Sequence, residues 1–250
     1  MQKKTLIQSL YTASSRVSAP LLTLSGLVKH HCLLCHNTSQ GRICEFCEQQ
    51  FLTIPTHCCH CCGLPLEYEV SHCGECIKNK PAFDNTVIPY LYQAPLSTMI
   101  RHFKENHHFI AGKTLSQLFV TYIENYYQYR PLPQLLVPVP LHWKKQWRRG
   151  FNQAIFFSVH LSDRLNIPIL KKAKRIKYSN DQKYLNKKQR QKNLSHYFSL
   201  NTTLTTPHVA IIDDVVTTGS TTNALAKVLK QSGAKKVTVW ALARTPKEMQ

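Results

Sequence analysis

Residues Val209–Thr221 read VAIIDDVVTTGST. Four apolar residues lead into two adjacent carboxylates, Asp213 and Asp214, and a short loop of small residues follows. A buried parallel strand would carry both acids to its C-terminal edge, where open α/β sheets bind their ligands. Thr217, Thr218, Gly219, Ser220 and Thr221 would then turn backbone N–H groups and hydroxyls toward one phosphate, and a helix N-terminus behind them favours negative charge. The carboxylates would face vicinal sugar hydroxyls, directly or through Mg²⁺. A strand, a turn and a helix cap account for the threonines and the serine. They do not account for two acids side by side, which repel when unpaired. Phosphate binding is therefore the expectation.

The second chemical signal is cysteine. All ten cysteines fall between Cys32 and Cys76, and they form C-x-x-C pairs. Two thiolates three positions apart grip one ion from a tight knuckle, and a second knuckle completes a tetrahedron. Eight residues separate Cys35 from Cys44 and ten separate Cys62 from Cys73, both suited to a zinc ribbon. The simplest assignment is two consecutive sites: Cys32, Cys35, Cys44 and Cys47, then Cys59, Cys62, Cys73 and Cys76. Gly63 after Cys62 and Gly74 inside the last pair favour Cys59/Cys62 over Cys58/Cys61. A crossed pairing, a single filled site, and His57 or His60 in place of a thiolate remain open. Zinc here staples a segment too small to fold alone; direct recognition of a ligand is the alternative.

These groups need a scaffold. Strand patterns occupy 87–92, 135–140, 209–213 and 236–243; helical patterns occupy 96–105, 113–129, 151–165 and 221–230. Strands alternating with helices imply a mostly parallel sheet. Residues 171–200 fit neither period and read as a long loop or a projecting hairpin. The expected organisation is an N-terminal helical extension at 1–29, a double zinc ribbon at 30–80, and an α/β domain of parallel sheet flanked by helices at 81–250.

The chain has 250 residues and a net charge of +19. An apolar fraction of 43% argues against wholesale disorder. No run of about 18 apolar residues occurs, so neither a membrane-spanning helix nor a signal peptide is expected, and the reading is cytoplasmic. Such a compartment favours metal over disulfides for the cysteines. The charge is concentrated: residues 141–192 hold 15 basic and 2 acidic residues, a net +13. That points to a polyanion, with solubility as the plain alternative. Trp143 and Trp147 stand among Lys144, Lys145, Arg148 and Arg149. Aromatic platforms between cations suit single-stranded nucleic acid, and packing of the tryptophans on the sheet is the competing reading. Tyr178, Tyr184 and Tyr197 would extend such a surface.

The thirteen-residue stretch resembles the phosphoribosyl-pyrophosphate (PRPP) motif of type I phosphoribosyltransferases. LLVPVPLHWKKQWRRGFNQA (Leu135–Ala154) and QKYLNKKQRQKN (Gln182–Asn193), with paired C-x-x-C knuckles ahead of them, resemble the competence-protein ComF family. The match covers about residues 30–245. It implies a type I phosphoribosyltransferase-like domain in which Asp213 and Asp214 meet ribose hydroxyls and Thr217–Thr221 hold the 5′-phosphate. It implies pyrophosphate or nucleic-acid contacts from Pro138, Val139, Pro140, Lys144, Lys145, Arg148 and Arg149. Gln182, Lys187, Lys188 and Arg190 would join them from a mobile loop, and Lys104 from a hood over the pocket. Lysines at 187 and 188, where the family favours arginine, keep the charge but lose the bidentate fork.

Three functions follow from the resemblance as expectations. The first is single-stranded DNA binding during natural transformation, with partners at the inner membrane: a DNA translocation channel and a helicase. The second is a working transferase using Mg²⁺ and PRPP. The third is a zinc-stapled scaffold. The oligomeric state is not legible.

Overall fold

The computed structural model describes residues 30–52, 55–176 and 197–247. The backbone at Lys144 and Lys145 is included, their side chains are not. The helical extension expected at 1–29, and Gln182, Lys187, Lys188 and Arg190, lie outside the described residues. Contacts divide the chain into two units, 1–44 and 45–250.

The first unit contains β1 (His30–His31) antiparallel to β2 (Thr38–Ser39), with His30 opposite Ser39. The second begins with the short helices α1 (Glu45–Phe51) and α2 (Gly74–Lys78). Then come β3 (Asn85–Val87), β4 (Tyr90–Leu91), α3 (Leu96–Asn106), α4 (Phe109–Tyr127), β5 (Leu135–Pro138), α5 (Trp143–Arg149) and α6 (Gln153–Leu165). A strand pair, β6 (Lys174–Arg175) and β7 (Phe198–Ser199), precedes β8 (His208–Val216), α7 (Ser220–Gln231) and β9 (Lys236–Arg244).

One sheet organises this unit, in the order β3-β9-β8-β5, with every neighbour parallel and β4 pairing further along β9. Parallel strands need helical crossovers, and α7 supplies the one between β8 and β9. Strand alternation sorts the two faces. Val209, Ile211, Val237 and Val239 pack with Leu225, Ala226 and Leu229 of α7. On β9 the indole of Trp240 donates to the Tyr127 hydroxyl of α4 at 3.1 Å. The sheet is apolar on both faces because helices cover both.

The α/β class and the parallel sheet flanked by helices are as the alternation predicts. Local differences have physical reasons. Residues 87–92 do not form one strand, because Pro89 has no N–H for the ladder and splits it into β3 and β4. Helix α4 begins at Phe109 rather than Lys113, with His107 in a left-handed turn (φ 54°) closing α3 just before it. Helix α5 was not expected, since WKKQWRR shows no apolar stripe. Strand β8 runs through both acids to Val216, three residues past the predicted end. Lys174 pairs with Ser199 and Arg175 with Phe198, antiparallel.

Candidate functional site

Asp213 and Asp214 are the sixth and seventh of the nine residues of β8, just past the end of β5. Pro138 of β5 lies opposite Ile212, and Asp213 lies opposite Ala241 of β9. The Asp214 amide donates to Asp213 Oδ1 at 2.9 Å, and the Val215 amide to Asp214 Oδ1 at 2.7 Å. Lys104 of α3 places Nζ 2.7 Å from Asp214 Oδ2, with the two side chains only 17% and 14% exposed. Burial, and then Asp214, push Asp213 up to about 8 against the opposing pull of the Asp214 amide, Lys104 and Arg175. One acid is thus paired with a lysine, and its neighbour Asp213 is held toward the neutral form.

After β8 the chain turns through Thr217–Gly219 into α7. Gly219 has φ 74°, a left-handed conformation that a side chain would strain. Ser220 N donates to Thr218 Oγ1 at 3.4 Å, and Thr218 Oγ1 donates to Ser220 Oγ at 3.0 Å. Arg244, at the end of β9, fixes the start of this loop. Its guanidinium donates to the carbonyls of Val216 (3.1 Å), Thr217 and Thr245 (3.0 Å), and its Nε to Cys62 O (3.0 Å). Its main chain pairs with Val216. The loop is therefore braced at its start by Arg244.

The residues after β5 are also fixed. Val139 N donates to Ile212 O at 2.9 Å. Asn152 caps α6 by accepting from Ala154 N, and its Nδ2 donates to Val139 O at 3.0 Å. His107 Nε2 lies 2.8 Å from Arg149 O, so the turn after α3 meets the α5–α6 junction. The two tryptophans expected as platforms are largely exposed, Trp143 at 66% and Trp147 at 88%, with the Trp143 ring 5.6 Å from that of His142. A cavity of about 350 Å³ opens between Pro138, Pro140, Trp143 and the 170–175 segment.

Cys32, Cys35, Cys44 and Cys47 group with all sulfurs within 4.8 Å of one another, and so do Cys59, Cys62, Cys73 and Cys76. This is the consecutive pairing, and among the described residues Cys58, Cys61, His57 and His60 stand outside both groups. The knuckles share a geometry. Gly63 turns left-handed (φ 67°) and donates N–H to Cys59 O, and His36 does the same (φ 61°) toward Cys32 O. Amides also reach the sulfurs: Leu34 and Cys44 donate to Cys32 at 3.4 Å, and Cys73 donates to Cys59 at 3.3 Å. Burial raises both thiols, but these donors outweigh it and bring Cys32 to about 6 and Cys59 to about 7. Burial and neighbouring sulfur charge push Cys62 up to about 12 and raise Cys76. Four sulfurs this close repel as thiolates unless a cation takes up the charge, and a tetrahedral zinc ion fits the donor set.

Sequence reasoning missed Arg175 and Arg244. Arg175 sits in a run of cations with nothing to single it out. Arg244 ends an apolar strand, and a buried arginine there was a readable sign. His36 was missed because glycine was the marker sought.

Together these features define an α/β protein with a parallel sheet, an acidic strand end and paired zinc-ribbon-type cysteine tetrads. A model of the double zinc ribbon domain matches residues 24–77. Competence protein F of Haemophilus influenzae is 39% identical over 220 residues, 86% of this chain and 95% of that protein. The DNA utilization protein YhgH of Escherichia coli K12 is 34% identical over 233 residues, 90% of this chain and all of that protein. Competence protein ComFC of Bacillus subtilis is 24% identical over 215 residues, 82% of this chain and 85% of that protein. The chain belongs to the competence protein F family. Among solved structures, a purine phosphoribosyltransferase from Pyrococcus horikoshii is similar over 53% of this chain and 80% of its own, at TM-score 0.34 and 18% identity. No described helix is long and apolar enough to cross a membrane.

Proposed function

We propose that the chain acts in DNA uptake and use by binding single-stranded DNA on the cytoplasmic side of the inner membrane. It would work beside a translocation channel and a helicase, with a PRPP-type pocket at Asp213, Asp214 and Thr217–Thr221 holding a phosphorylated ribose. The observation that carries the reading is the concentration of charge: 15 basic against 2 acidic residues over 141–192. The exposed Trp143 and Trp147 lie within that stretch. The printed names of the relatives, competence and DNA utilization proteins, agree with it. Phosphates of the strand would meet Arg148 and Arg149, with Lys144, Lys145, Gln182, Lys187, Lys188 and Arg190 as further proposed contacts. We keep the division at about residues 30 and 80, the ribbon holding the fold and the larger domain the ligand. Fluorescence anisotropy of labelled oligo(dT) across a salt series tests this. The logarithm of affinity should fall with that of salt by about 0.7 for each phosphate neutralised. A flat response overturns it.

The acidic pair with its braced loop also favours a second reading, transfer of a phosphoribosyl group from PRPP with Mg²⁺. Lys104 already compensates Asp214, and Asp213 is drawn toward neutrality, so Mg²⁺ would compete with Lys104 for that carboxylate. Pyrophosphate release with a panel of bases and amines decides this reading.

A further inference from the structure

The cavity beside β5 has a lining of two unlike kinds. Pro138, Pro140, Ile155 and Leu170 give it an apolar floor, and the Trp143 indole stands at its edge. To the same lining the 171–175 segment adds Lys171, Lys174 and Arg175. Arg175 is the unusual member. It is partly buried, its Nε has no hydrogen-bond partner among the described residues, and its guanidinium carbon lies 5.6 Å over the Phe198 ring. A buried donor without an acceptor is unfavourable, so the position is one that a ligand oxygen would satisfy.

The volume falls in the range of small-ligand pockets. An inorganic diphosphate offers only charged oxygens and would leave the proline floor and the indole unused. A planar apolar ring joined to a phosphate uses both kinds at once.

We propose that this cavity anchors one nucleotide of a single-stranded nucleic acid, its base against Trp143 and the proline floor and its phosphate on Arg175 and Lys174. The inference rests on the reading of the chain as a single-strand binder and adds the point at which the strand is gripped. Of the two amides that also line the cavity, Asn152 is already engaged with Val139 O and Ala154 N, which leaves Gln146 to meet a base edge. The grip is otherwise one of stacking and charge, tolerant of sequence.

The test uses the full chain carrying Trp147→Phe, so that Trp143 is the exposed indole reporting. Thymidine monophosphate and a short oligo(dT) should each quench its emission, the nucleotide displacing the labelled oligonucleotide. Trp143→Ala and Arg175→Gln, made in that background, should each weaken oligo(dT) binding about tenfold, the scale of one stacked base or one charged contact, with thermal melting unchanged. Salt-dependent oligo(dT) binding with no change in Trp143 emission and full affinity in Arg175→Gln overturns the cavity's role while the single-strand reading stands. Quenching by the mononucleotide with no oligonucleotide binding at any salt overturns both the strand anchor and the single-strand reading. Displacement by inorganic diphosphate with no response to the nucleotide overturns the assignment of ligand.

Discussion

Lys104 Nζ lies 2.7 Å from Asp214 Oδ2, joining α3 to the acidic end of β8. The contact spans 110 positions of sequence and is mostly shielded from water. Without it, two adjacent carboxylates would face each other in a low-dielectric setting. The lysine thus ties two elements together at the site, and its charge also acts on Asp213, lowering it against the larger opposing effect of burial.

Removing either partner should therefore be costly, and removing both less so. We expect Lys104→Ala and Asp214→Asn each to destabilise by about 2 kcal/mol, with a coupling energy of about 1–3 kcal/mol in the double variant. Urea denaturation of the three variants measures it. Additive losses would show that the pair contributes nothing of its own.

Asp213 makes a pH prediction of definite sign. Its folded value, about 8, lies above the ordinary 3.8, so between these the folded state holds a proton that the unfolded state has released. Its contribution is fully present below about pH 4 and is lost as pH rises through 8, with a slope of at most about 1.4 kcal/mol per unit. His208 works the other way. Burial, and then Lys236, lower it to about 4, so its contribution is lost as pH falls from 6.5. Asp213→Asn separates the two. Relative to this variant, the parent should weaken steadily between pH 5 and 8. A constant difference across that window would refute the assignment.

The strand carrying the acids was readable because four consecutive apolar residues suit a strand buried on both faces, although it runs past the carboxylates to Val216. Both cysteine tetrads were readable as the simplest pairing from spacing and the Gly63 and Gly74 turns, while spacing alone also allowed a crossed pairing. What escaped was long-range. Nothing local in RHFKENHH says that Lys104 reaches Asp214 rather than solvent, since a lysine on a helix looks the same in either case. Arg244 was hidden because its acceptors are backbone carbonyls, which every sequence has. Helix α4 reads short in the sequence because glycine costs a helix about 1 kcal/mol relative to alanine, so Gly112 argues locally against the turn that contains it. Its reason for being there lies on another helix.

That reason makes a prediction of its own. A Cβ at Gly112 would sit 2.4 Å from Phe103 Cε2 and 2.6 Å from Cδ2. Phe103 cannot retreat, because Phe151 and Phe156 lie 5.0 and 4.9 Å from it, ring to ring. Gly112→Ala should therefore destabilise by about 1–3 kcal/mol despite its gain in helix propensity. Phe103→Leu, added to it, should recover part of the loss. A more stable Gly112→Ala would show that α3 and α4 do not pack this closely.

Metal content checks the tetrads. The purified chain should carry two zinc ions, one for each sulfur group. Cys47→Ser and Cys73→Ser should each reduce this to one, and Cys58→Ser and Cys61→Ser should leave it at two. Atomic absorption after gel filtration gives the count. Loss of zinc from Cys61→Ser would overturn the assignment of the second group.

Arg244 links that second group to the loop after β8, since one guanidinium holds Cys62 O, Val216 O and Thr217 O. Lysine keeps the charge, but its single ammonium cannot span acceptors on two segments. Arg244→Lys should cost about 3 kcal/mol in stability, the scale of two charge-assisted hydrogen bonds. It should also loosen the loop, seen as faster amide exchange at Thr217–Ser220 with zinc still bound. Chelating the zinc should speed exchange at the same amides in the parent, because Cys62 would no longer be fixed. Unchanged exchange at these amides in Arg244→Lys would show that the loop holds itself, through the Thr218–Ser220 bonds and the Gly219 turn, and that the arginine secures only the ribbon.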